Sequence, residues 1–146
     1  MENEMLKPEN IFLNQPKAER EAVIRRCGKI LTGSGYVRER YVEGMLARDN
    51  SFSTAIGNYI AIPHGEKEYK DEIITAGFAI LTYPEAIDWN EVKVHLVIGI
   101  AARGDEHLDI LGNIVETLET EEDVKKFLAI TDKRKIIDLF SGRGTL

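Results

Sequence analysis

The chain has 146 residues, 43% apolar and 30% charged, a size that suits one globular domain with a buried core. Nineteen basic against twenty-five acidic residues leave a net charge of -6, which excludes broad nucleic-acid binding or electrostatic attachment to an anionic membrane. One cysteine excludes an internal disulfide framework and a multi-cysteine zinc site, no apolar run approaches the ~20 residues of a membrane span, and residues 1–10 are too polar for a signal peptide. The expectation is a single domain over residues 1–146 in a reducing, cytoplasmic setting, without membrane insertion.

In chain order, Lys17 to Leu31 carries Val23, Cys27, Ile30 and Leu31 at helical spacing and then meets the breaker Gly33-Ser34-Gly35. Val37 to Arg48 repeats that period with Tyr41, Val42, Met45 and Leu46, and ends at Asp49-Asn50-Ser51. Three β-branched apolar runs bounded by turn residues then predict strands at Tyr59 to Ile62, Ile73 to Tyr83 and Val92 to Ile100. The helical period returns with a stripe of Leu108, Leu111, Val115 and Leu118, followed by shorter helices at Glu121 to Ile130 and Lys133 to Phe140. Strands set between helical segments predict an α/β fold, a mixed sheet with helices on both faces. Such folds collect functional groups in loops past strand ends. Two of these loops, Pro63-His64-Gly65 and Ala101 to Glu106, each have a histidine in or beside them.

The three histidines differ in what surrounds them. His64 lies between a proline of fixed φ and a glycine that lets the backbone come close to a ligand, so its ring is held in a narrow range of directions. Near neutral pH a neutral imidazole is a nucleophile or ligand, although a turn histidine punctuated by Pro and Gly is the plain alternative. With Asp105 as N-cap, His107 falls in the first turn of a helix, where unpaired N–H groups favour an anion; the alternative is a solvated polar-face residue. Alternation places Val92, Val94 and Leu96 opposite His95, which reads as a strand residue without chemistry. Arg48, at the end of its predicted helix, suits either the helix C-terminus or a phosphoryl oxygen.

Other chemistries lack their residues. Gly33-Ser34-Gly35 follows a helix and has Arg38 where a third glycine would stand, so it is no dinucleotide fingerprint. There is no P-loop, no His-Glu-x-x-His zinc helix and no Gly-x-Ser-x-Gly elbow. Glu106, His107 and Asp109 make a poor metal set, and Cys27 reads as a buried structural thiol.

The segment Gly57-Asn58-Tyr59-Ile60-Ala61-Ile62-Pro63-His64-Gly65 resembles the active-histidine segment of enzyme IIA of the bacterial phosphoenolpyruvate-dependent sugar phosphotransferase system, in its mannitol–fructose family. The resemblance covers nearly the whole chain. It includes Glu9 to Leu13 as an opening strand, Gly35-Tyr36-Val37 with Tyr41, Met45-Leu46 and Arg48 as the second helix, and Pro84-Glu85 through Asp88-Trp89. Val97 to Ala102 and Glu106-His107-Leu108 extend it, closest to the mannitol branch. It departs at Glu66, where that branch often has threonine, and at Ala86, where glycine is usual.

The resemblance implies a phosphotransferase component in which His64 accepts a phosphoryl group, with His107 and Arg48 in support. The donor would be phospho-HPr and the acceptor a cysteine of the enzyme IIB component of a membrane permease on another polypeptide. No metal or organic cofactor is expected. Two other readings are a regulatory phosphoprotein of the nitrogen-related IIA type, and a small α/β domain whose histidines are incidental.

Overall fold

The computed structural model describes residues 5–103 and 108–146. Five strands form one sheet: β1 (Ile11–Phe12), β2 (Ala55–Gly57), β3 (Ile60–Ala61), β4 (Gly77–Trp89) and β5 (Val92–Ala101), in the order β1-β4-β5-β3-β2. The pairs β1–β4 and β3–β5 are parallel, whereas β4–β5 and β2–β3 are antiparallel, giving the expected mixed sheet. Helices α1 (Arg20–Gly33) and α2 (Tyr41–Ser51) cover one face, and α3 (Leu108–Thr117), α4 (Glu121–Leu128) and α5 (Lys133–Phe140) the other.

Strand alternation feeds two cores. Phe78 and Ile80 of β4 join Leu96, Ile98 and Ile100 of β5 against Ile114, Phe127 and Phe140. Ala79 and Leu81 join Val97 and Ala101 against Val23, Cys27 and Met45. Each large side chain buried in this way contributes about 1.5–3 kcal/mol relative to exposure. Cys27 is fully buried, and that burial pushes its thiol up to about 12, so it is a packing residue, as expected. Thr120 and Asp123 form a capping box on α4, and Asp132 caps α5, which places both helix starts where the sequence put them.

The structure corrects several expected boundaries. Ile73 to Ala76 lie outside the sheet; Ile73 instead bridges Val37 after a 3-10 turn over Lys67–Glu72. β4 continues through Pro84 to Trp89 because a bulge absorbs the proline. Thr82 pairs with Leu96 and Ile87 with Val94, so Tyr83 to Ala86 face His95 alone. The same bulge reverses the faces of β5. Val94 enters one core and Leu96 the other, against the expectation that both lie opposite His95, and Val92 is exposed. In α3 it is Ile114, not the expected Val115, that packs with Leu118; Val115 is 55% exposed. The hairpin strand β2 had no periodic signal. It turns into β3 through Asn58 and Tyr59, both at positive φ, as a tight two-residue hairpin requires.

Candidate functional site

β3 ends at Ala61, yet its parallel register with β5 resumes at His64, which bridges Ile100. The interruption falls at Pro63, which has no N–H to give; its carbonyl accepts from Ile100 N at 2.9 Å. On the other side, Ile62 N donates to Thr54 O at 3.0 Å and Glu66 N to Gly44 O at 3.1 Å. The histidine is therefore carried on a backbone stitched from both sides. Gly65 is required here for space, because a Cβ would lie 2.5 Å from Cε1 of Tyr41.

The imidazole is only part-buried, and its Nδ1 lies 2.8 Å from the Ile62 carbonyl. A carbonyl only accepts, so Nδ1 carries a proton, and in the neutral ring the lone pair belongs to Nε2. His64 forms the shared rim of two depressions. A cleft of about 390 Å³ is lined by His64 with Glu66, Lys67, Lys70 and Arg103, and a shallower groove of about 440 Å³ by His64 with Arg48, Glu66, Lys67 and Glu68.

Arg48 fits the helix C-terminus and also borders His64. It lies in the last turn of α2, donates to the carbonyl of the capping residue Phe52 and sits 5.5 Å from that residue's ring, while lining the groove beside His64. His107 lies outside the described residues, as do Asp105 and Glu106. His95 is accounted for structurally: its Nδ1 is 2.7 Å from the Tyr83 carbonyl in the bulge, and its ring meets Tyr59 edge-on at 5.2 Å. Among the described residues, no three His, Cys, Asp or Glu side chains are grouped to hold a metal ion.

Two residues were missed from sequence. Arg103 donates to the Ile73 carbonyl at 2.6 Å and puts its charge on the cleft wall; its signal was its place in the Ala101 to Glu106 loop past β5. Asp49 lies inside α2, not in a helix break, and is buried. Its carboxylate accepts from Thr54 N at 2.9 Å, Thr54 Oγ1 at 2.5 Å and Trp89 Nε1 at 3.0 Å, and pairs with Arg20. Burial alone would raise its pKa, but the hydrogen bonds from Thr54, Trp89 and Arg20 outweigh it and hold the carboxyl below its ordinary value. This knot ties α1, α2 and β4 together at the residue next to Arg48.

No helix of the described residues is long and apolar enough to cross a membrane. Residues 4–142 match the family model for the phosphoenolpyruvate-dependent sugar phosphotransferase system, EIIA 2. The chain is 37% identical over 137 residues to the mannitol-specific phosphotransferase enzyme IIA component of Halalkalibacterium halodurans, covering 94% of each protein. It is also 37% identical over 139 residues to the component of the same name from Bacillus subtilis, covering 94% of this chain and 97% of the relative. Among solved structures it resembles the Escherichia coli complex of enzyme IIA-mannitol with phosphorylated enzyme IIB-mannitol, with a TM-score of 0.84, 35% identity and coverage of 94% and 98% of the two chains. With the expected sheet, the expected histidine frame and a family match over nearly its whole length, the chain belongs to the EIIA 2 family of the phosphoenolpyruvate-dependent sugar phosphotransferase system.

Proposed function

We propose that residues 1–146 form one phosphocarrier domain that takes a phosphoryl group from phospho-HPr on Nε2 of His64 and hands it to the enzyme IIB cysteine of a mannitol permease. The observation that carries this reading is the Nδ1 contact with Ile62, which leaves the Nε2 lone pair as the nucleophile beside a cationic cleft. In the first step a bond forms from Nε2 to phosphorus as the donor's P–N bond breaks. In the second, the partner's thiolate attacks phosphorus and the His64 N–P bond breaks. The phosphoryl group is metaphosphate-like in transit, so the protein's share is positioning and charge stabilisation.

Arg48 supplies a planar cationic donor on the groove side and Arg103 charge on the cleft side, with Lys67 lining both. His107 is proposed as a further support. The mannitol-specific names of the relatives favour a sugar relay over the nitrogen-related regulatory reading. A cytoplasmic place opposite the permease belongs to the same proposal. No cofactor enters either step.

The test is incubation with phosphoenolpyruvate, enzyme I and HPr, followed by intact mass. The expected result is one phosphoryl group, labile in acid and stable in base. The purified phospho-protein, supplied to membranes carrying a mannitol, fructose or galactitol permease, is expected to support mannitol phosphorylation fastest. A faster rate on fructose or galactitol overturns the sugar assignment and leaves the relay chemistry standing.

A further inference from the structure

A parallel bridge between His64 and Ile100 has two backbone hydrogen bonds, and only one of them is made directly. Ile100 N donates to the Pro63 carbonyl at 2.9 Å. The companion bond would run from Gly65 N–H to the Ile100 carbonyl. Instead, Gly65 N donates to the hydroxyl of Tyr41 at 2.9 Å, and that hydroxyl donates to Ile100 O at 3.0 Å. A tyrosine from α2 has thus been inserted into the sheet ladder, one residue past His64.

We infer that Tyr41 is a positioning residue: its hydroxyl relay holds the His64 segment off β5 and aims the imidazole into the cleft. A phenol can do this because it is donor and acceptor at once, so one group satisfies both a backbone amide and a backbone carbonyl. Tyr41 is buried, and burial raises its pKa further above its already alkaline value, more than the Gly65 hydrogen bond lowers it; the hydroxyl stays protonated and able to donate.

The ring beneath supplies a floor that only glycine at position 65 can approach. Direct closure of the ladder would draw the backbone to ordinary strand spacing and swing His64 with it. Leaving the ladder open without the hydroxyl would strand a polar pair. The same carbonyl lies three residues before Arg103, so the relay sets the distance between the nucleophile and the loop that carries the cleft's arginine.

The rate arm of the test rests on the phosphocarrier reading; the spectral arm does not. Tyr41→Phe keeps the ring and removes the relay, and Tyr36→Phe removes a second buried tyrosine hydroxyl, which accepts from Asn10 Nδ2 at 3.1 Å, outside the His64 segment. In rapid-quench phosphorylation by phospho-HPr, Y41F is expected to lose about 10–100-fold in kcat with KM nearly unchanged, as for a displaced reacting group. Y36F is expected to keep the wild-type rate while melting at a lower temperature. Long-range proton–nitrogen spectra of the imidazole are expected to show the Nδ1–H tautomer in wild type and altered His64 signals in Y41F.

A Y41F protein with the wild-type rate, or with unmoved His64 signals, overturns the inference. If Y41F does not fold, the wild-type spectrum decides: a slowly exchanging Tyr41 hydroxyl proton close to the Gly65 amide is expected, and its absence overturns the relay.

Discussion

Two histidines of this protein make the same local contact and have different surroundings. His64 and His95 each set Nδ1 against a backbone carbonyl, at 2.8 and 2.7 Å, and each therefore presents Nε2. They lie near opposite ends of β5, where Ile100 and His95 are about 16 Å apart along an extended strand. Around His64 the fold gathers Arg48, Lys67, Lys70 and Arg103 along a cleft and a groove, against two carboxylates, Glu66 and Glu68. His95 lies edge-on to Tyr59, whose hydroxyl reaches Glu121, and it lines a smaller depression beside the β4 bulge with Lys125 as its one cation. Tautomer control and part-burial at a depression are thus common to both, and the greater number of cations around it distinguishes His64, the proposed nucleophile.

The sharpest way to break this comparison is to remove each ring. His64→Ala is expected to lose all phosphorylation, whereas His95→Ala keeps it, both read by intact mass; label surviving in the His64 variant would move the nucleophile elsewhere. Removal of the charge around His64 comes next. Arg48→Ala and His107→Ala are expected to fold normally and to slow transfer by about a hundredfold, the lower end for losing one donor to a charge-spread transition state. Wild-type rates by rapid quench would assign them to structural roles. For Glu66, whose carboxylate shares the groove with His64 and lies 3.4 Å from Ser51 Oγ, the effect is smaller. Glu66→Gln removes a negative neighbour of the phosphoryl dianion at an exposed site. It should shift the equilibrium toward phospho-His64 by about threefold, measured against HPr, because exposed charge pairs are worth below ~1 kcal/mol.

The Asp49 knot is expected to show a different signature, in stability instead of transfer chemistry. Its pKa is depressed in the folded state, so its contribution is fully present above the unfolded value of about 3.9 and is lost as pH falls through the lower folded value. Asp49→Ala should therefore lower the Tm at pH 7 by an amount that shrinks in strong acid. The expected cost near neutrality is about 3 kcal/mol, since Trp89 Nε1 and Thr54 N–H lose a buried acceptor. A pH-independent loss would mean that packing, not the carboxylate, is what Asp49 supplies.

Much of this was legible in the sequence where information is local. The helical period of Val23, Cys27 and Leu31 marked α1, the Thr120 and Asp132 caps coincide with the starts of α4 and α5, and Pro63-His64-Gly65 marked the loop that holds the proposed nucleophile. The family resemblance anticipated an opening strand at Glu9 to Leu13, where a 3-10 turn over Pro8–Asn10 leads into β1. Legibility failed where a partner distant in sequence overrides local preference. β2 is three residues long with exposed Ile56, and it exists because β3 pairs with it. Pro84 sits within a strand because the bulge removes the need for its N–H.

The amino-acid sequence by itself determined the five helices, the strands β3, β4 and β5 and the histidine frame, because periodicity, capping and the fixed φ of proline act over a few residues. The Nδ1 contact with Ile62 belongs to the same class, being only two residues long. The tertiary structure alone decided what the imidazole faces. The order β4-β5-β3 lays the end of β3 along the end of β5, α2 packs across both, and the hydroxyl of Tyr41 reaches Gly65 and Ile100 at once. Those contacts span 24 and 59 positions of sequence, and no local preference encodes them; they form only when the two cores bury their apolar faces and bring the strand ends together.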